Sequence, residues 1–107
     1  MAWLYLFAAG IFEIVWAFAM KQSQGFARPL ASVITIAGMI ASVWLLSLSL
    51  KSLPLGTAYT VWTGIGAVGA FVVGVVFLGE QLSPSRLCAA CLIVAGLVLM
   101  KIATPSA

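Results

Sequence analysis

Charged side chains are scarce in this sequence, which has five basic and two acidic residues among 107 and is 64% hydrophobic. A soluble domain of this size needs a charged and polar surface, because apolar atoms alone do not keep it dispersed in water. So few charges cannot supply that surface. Lipid must therefore be the solvent for most of this chain.

Histidine is absent, and cysteine occurs only twice, at Cys88 and Cys91, one helical turn apart. The sequence thus lacks a ligand set for a metal ion and a nucleophile–base pair, and we expect neither a metal site nor an enzyme. It also lacks the Gly-Lys-Ser or Gly-Lys-Thr of a nucleotide-binding loop, so we expect no cofactor and an ion gradient as the energy source. The scattered basic residues do not suggest a nucleic-acid partner.

Four long apolar stretches fill almost the whole chain. A helix needs roughly 20 mainly apolar residues to cross a hydrocarbon core of about 30 Å. The continuous runs exclude the alternating pattern of a β-barrel. We predict an all-α membrane protein, in which residues 1–107 form a single transmembrane domain of four helices, at about 1–20, 29–50, 55–78 and 84–102.

The basic residues hardly distinguish the two sides of the membrane, although such residues normally collect on the cytoplasmic side. Lys21, Arg28 and Arg86 fall on one side, and Lys51 and Lys101 fall on the other. Either the insertion machinery or the lipids resolve a weak signal, or the chain inserts in both orientations. Four short helices are too few to enclose an aqueous path, so a transporter of this size should be an oligomer. Antiparallel pairing of two copies would reproduce the inverted repeat of larger transporters.

Glu13 is the outlier of the first helix. It lies twelve residues into that helix, about 18 Å along its axis and near the bilayer middle. An acid at that depth costs on the order of 3 kcal/mol to insert, and such residues usually mark the path of an ion or substrate. The alternative is a neutral, structural acid that is hydrogen-bonded to a neighbouring helix.

Helical spacing predicts the surroundings of this acid. Gly10 should leave room beside the carboxyl group, and Trp16 offers an indole N–H on the same side of helix one. Helix two carries a stripe of small and hydroxyl residues, Thr35, Gly38, Ser42 and Ser49. In helix three, Tyr59 and Trp62 share a face, on which Gly66 lies one turn further along. A lone acid among hydroxyl groups and aromatic rings suits a cation, although each aromatic residue has helix packing as an alternative role.

The run Ala58-Tyr59-Thr60-Val61-Trp62-Thr63-Gly64-Ile65-Gly66, together with Glu13 in the first of four short helices, resembles the small multidrug resistance family. The similarity extends over essentially the whole chain. Within the family, the sequence is most similar to the guanidinium exporter subtype, on the evidence of the segment from Gly10 to Ala17, of Ser42 and of the pair Gly56-Thr57.

The resemblance implies an antiparallel, dual-topology homodimer in the inner cell membrane that exchanges protons for guanidinium-type cations. Glu13 would be the shared proton and substrate site. Its shell would comprise Gly10, Trp16, Ser42, Tyr59 and Trp62. Gly64 and Gly66 would lie at a bend in helix three. Ala89 and Gly96 would form the dimer contact of helix four, where the family often has two glycines seven residues apart.

Three other functions remain open at this point. The chain could export bulky quaternary ammonium drugs, or it could be a narrow cation channel that conducts without obligatory exchange. It could also be a non-transporting assembly subunit that uses Glu13 to pair with a basic partner helix. A heterodimer with a related chain is an alternative to the homodimer.

Overall fold

A computed structural model describes residues 1–104 of the chain. It contains four α-helices: α1 (Ala2–Gln22), α2 (Pro29–Ser49), α3 (Leu55–Phe77) and α4 (Pro84–Ala103). Each is long and apolar enough to cross a membrane. The predicted all-α class with four membrane-spanning helices is therefore confirmed.

The helix boundaries follow from local chemistry. Pro29 and Pro84 open α2 and α4, where the missing proline N–H leaves no helical bond unmade. Ser83 caps α4, because its hydroxyl group accepts a hydrogen bond from the backbone N–H of Arg86 at 3.2 Å. Between α3 and α4, Gly79 adopts a left-handed φ of 67°. The N–H of the next residue, Glu80, donates a hydrogen bond to the Gly74 carbonyl of α3 at 3.1 Å.

The loop between α1 and α2 is organised by Ser23, which is fully buried. Its hydroxyl group donates to the carbonyl of Met20 at 2.7 Å and accepts from the N–H of Phe26 at 3.1 Å. Its own carbonyl accepts the N–H groups of the two residues that precede α2. These bonds hold a tight turn in which Gln24, Gly25 and Phe26 all have left-handed backbone conformations.

The helices form a thin slab of 42 × 34 × 16 Å. In it, α1 packs against both α2 and α3, and α4 packs against α3. The buried face of α2 is the predicted stripe, since Thr35, Gly38, Ser42 and Ser49 are all buried. No residue of α4 is buried in the part of the chain that the structure describes, so this helix lies at the edge of the slab.

Candidate functional site

Glu13 extends from α1 onto the backbone of α3 at Gly66. A methyl group on Gly66 would overlap the Glu13 carboxyl group, so glycine is the residue that lets the acid lie there. Atom Oε1 of Glu13 is buried and has no hydrogen-bond partner among residues 1–104. The ion pair found in these residues joins Glu80 and Arg86, so no basic side chain neutralises Glu13. A buried acceptor without a partner is unfavourable, and binding of a proton or a cation would relieve it.

Ser42 connects three helices next to this acid. Its hydroxyl group donates to the Ala9 carbonyl of α1 at 2.6 Å and accepts from the Trp62 indole N–H of α3 at 2.9 Å. Ala9 lies one turn before Glu13 on α1, and Trp62 lies one turn before Gly66 on α3, so the network is adjacent to the carboxyl group. A hydroxyl group has one proton to donate, and here the Ala9 carbonyl takes it. Ser42 therefore orients Trp62, and no hydrogen bond joins it to Glu13 among residues 1–104; its predicted part in the binding site stays a prediction.

The aromatic residues divide into two groups. Tyr59 and Trp62 are in ring contact, with centroids 5.5 Å apart and planes inclined by 51°, as their spacing predicts. Tyr59 is 55% exposed and Trp62 is half-buried, so part of this aromatic pair is accessible in the single chain. Trp16 instead packs on α2, where its Cβ lies 3.0 Å from the position of a methyl group on Gly38. Its indole N–H is buried without a partner among the described residues and does not hold the Glu13 carboxylate.

Gly10 and Gly64 each lie against a side chain of a neighbouring helix. A methyl group on Gly10 would lie 2.5 Å from Cγ2 of Ile65, so the space beside Gly10 is filled by α3 and not left beside the acid. Gly66 provides that room. Gly64 faces α4, because a methyl group on Gly64 would lie 2.5 Å from Cδ2 of Leu97. Because α3 continues as one helix through both glycines, a bend at Gly64 and Gly66 stays a prediction.

The role of Gly66 beside the carboxyl group was missed at the level of the sequence. A signal for it was present, because Gly66 shares the helical face of Tyr59 and Trp62, on which the site was expected. The Ala9 carbonyl was also missed. No side-chain pattern reveals it, because every residue carries a carbonyl group.

The expected dimer contact lies on the outer surface of α4. Ala89 and Gly96 are both exposed, and a methyl group on Gly96 would meet nothing within 4 Å. Residues seven apart fall on one side of a helix, so these two small residues share an open face. Their use in a dimer stays a prediction.

Comparison with known proteins supplies the wider context. A family model described as Small Multidrug Resistance protein matches residues 1–93. The chain is also similar to proteins named "Guanidinium exporter" from Citrobacter freundii, Salmonella typhimurium and Escherichia coli (strain K12). Each is 52% identical to it over 104 residues, which cover 97% of this chain and 99% of the relative.

Proposed function

The chain belongs to the small multidrug resistance family, and from that premise we propose that it exports guanidinium or small guanidinyl cations in exchange for protons. Membership confirms the resemblance expected from the sequence. The four spanning helices and the transporter relatives make it a multi-pass protein of the inner membrane, as predicted. The similar proteins are named as exporters, which is a transport function.

The observation that carries the proposal is the buried carboxyl oxygen of Glu13 in the middle of α1, which has no hydrogen-bond partner within the described part of the chain. A low-dielectric surrounding disfavours an isolated charge, so the acid is favoured with a proton or with a cation bound. The two ligands compete for the same oxygens, and a site that binds one releases the other. If the empty, charged site reorients poorly across the membrane, this competition couples cation export to proton entry.

Guanidinium fits the chemistry of this site better than a spherical cation does. Its planar N–H groups form two parallel hydrogen bonds with one carboxylate, as those of arginine do. The ring faces of Tyr59 and Trp62, held in contact with each other, attract a cation as well. The hydrogen bond from Trp62 to Ser42 keeps that ring in place before a ligand arrives. The names of the relatives support the same substrate.

We further propose that the working unit is an antiparallel homodimer. The slab is only 16 Å thin, and α4 exposes Ala89 and Gly96 on one face, which suits packing against a second copy. The nearly even distribution of basic residues supports insertion in both orientations. Two antiparallel copies would place two Glu13 side chains across a shared path.

The test is exchange in sealed liposomes. An outward proton gradient, with the liposome interior acidic, is expected to drive guanidinium uptake by the purified protein, and Glu13→Gln is expected to abolish this uptake. Glu13→Asp serves as the matched control, because it keeps a carboxylate and should retain exchange at lower affinity. Both variants are checked for folded oligomers by light scattering.

Each alternative has its own outcome in this assay. Guanidinium flux without proton movement would indicate a channel, and exchange of tetraalkylammonium ions without guanidinium would indicate a drug exporter. A wild-type protein that is folded but transports nothing would refute the proposal. The assembly-subunit function would then take its place.

A further inference from the structure

A small cavity of about 110 Å³ lies between the C-terminal halves of α1 and α3. Small residues (Ala17, Ala70 and Gly74) and larger ones such as Phe18 line it, together with the charged side chains of Lys21 and Glu80. Lys21 is in the last turn of α1, and Glu80 follows the end of α3. The cavity therefore opens at the membrane boundary, between two charged side chains.

The inner end of the cavity approaches the candidate site. Ala17 lies one helical turn after Glu13 on α1, and Ala70 lies one turn after Gly66 on α3. The Glu13 carboxyl group rests on Gly66. The lining of the cavity therefore stops one helical turn short of the two residues that meet at the candidate site.

Glu80 is the second of only two acids in the chain. Its carboxyl group lies over Gly74, where a methyl group would be 2.8 Å from Cδ, and its side chain is 40% exposed. Arg86 is 3.8 Å away, beyond hydrogen-bond distance. The guanidinium group of Arg86 is held instead by the Gln81 carbonyl and lies 5.1 Å from the centroid of the Phe71 ring. Glu80 and Arg86 thus form an ion pair without a direct hydrogen bond, and the partly exposed Glu80 carboxylate remains at the mouth of the cavity.

We propose that Glu80 steers the cation substrate on this side of the membrane, because its carboxylate offsets the charges of Lys21 and Arg86 at the mouth of a cavity that ends one helical turn from Glu13. Without Glu80 the mouth carries two positive charges, which repel a guanidinium ion before it reaches the buried acid. The proposal rests on the proposed function, since it assumes that a cation enters. Glu80 acts on entry and does not hold the transported ion at Glu13.

The experiment measures KM and maximal rate for guanidinium uptake into liposomes at two ionic strengths. Between about 10 mM and about 150 mM salt, the screening length falls from about 30 Å to about 8 Å. At low salt, Glu80→Gln is expected to raise KM roughly threefold with an unchanged maximal rate, as loss of one steering charge does. Arg86→Gln is expected to lower KM by a similar factor, and Glu80→Asp is expected to resemble the wild type. At high salt these differences shrink.

A purely structural role for the Glu80–Arg86 pair predicts a different pattern. Removing either partner would then change KM in the same direction, and salt would not restore it. Either result overturns the proposal, and Arg86→Gln keeps the test valid if Glu80→Gln misfolds. A wild-type protein without uptake would refute the proposed function and steering with it. If the wild type is active and Glu80→Gln has the same KM at low salt, steering is refuted and the proposed function stands.

Discussion

Gly66→Ala adds a single methyl group where α3 touches the candidate site. At that position the methyl group overlaps Oε1 and Cδ of Glu13. The overlapped atoms are the flexible end of a side chain, so the carboxyl group moves and the helices stay in contact. We expect a protein that folds nearly normally and binds guanidinium poorly.

Two opposing effects set the change in the free energy of unfolding of Gly66→Ala, and the loss of a hydrogen bond sets the change in guanidinium affinity. Alanine is favoured over glycine in a helix by about 1 kcal/mol, whereas an extra methyl group in a packed interface costs about 1–3 kcal/mol. The free energy of unfolding should therefore fall by about 2 kcal/mol at most. A displaced carboxylate loses one of two charge-assisted hydrogen bonds, which contribute about 1.5–3 kcal/mol each. The dissociation constant for guanidinium should rise by about 10- to 100-fold.

The assay pairs titration calorimetry for guanidinium with thermal unfolding in the same detergent. Gly69→Ala is the matched control, because its methyl group overlaps the end of Ile14 on the same helix pair. It should change stability by a similar amount and leave guanidinium affinity close to that of the wild type. Wild-type affinity in Gly66→Ala, or equal loss of affinity in both variants, would refute the reasoning.

Three further variants test other contacts. Ser42→Ala removes the acceptor of the Trp62 indole and should lower the free energy of unfolding by about 1–3 kcal/mol. Its control is Ser47→Ala, at an exposed position on α2, which should lower the same free energy by less than about 0.5 kcal/mol. Ser23→Ala removes two hydrogen bonds from the loop between α1 and α2 and should speed amide hydrogen exchange there; unchanged exchange would contradict the role assigned to this hydroxyl group. Gly96→Val places its side chain in open space in the single chain, so light scattering should show a weaker dimer with unchanged helicity, whereas a dimer of wild-type strength would exclude this face of α4 from the contact.

Much of the fold could be predicted because lipid imposes a strict requirement on the backbone. Every N–H and C=O group in the hydrocarbon must be paired within the chain, so a continuous apolar run of about 20 residues becomes a helix. Helical periodicity also predicted the buried stripe of α2 around Ser42 and the contact of Tyr59 with Trp62. These inferences concern one helix at a time.

The partners across helices could not be predicted in the same way. Ser42 was expected to approach Glu13, but it bonds to the Ala9 carbonyl and the Trp62 indole. Gly10 was expected beside the acid, but Ile65 occupies that space. Both differences arise from how far α1 and α3 are rotated and shifted against each other. In a membrane the outer surface is as apolar as the packed one, so hydrophobic patterning does not specify that setting.

The sequence by itself therefore determined the solvent of this protein, its four helices, its family resemblance and the acid that is the candidate site, because each rests on composition, spacing or a local motif. The tertiary structure alone decided that Gly66 receives the Glu13 carboxyl group, that Ser42 orients Trp62, and that α4 is left without a buried residue. The physical reason is that these features depend on the relative rotation, depth and separation of helices. Close packing of side chains between the helices sets those quantities, and no single segment contains them.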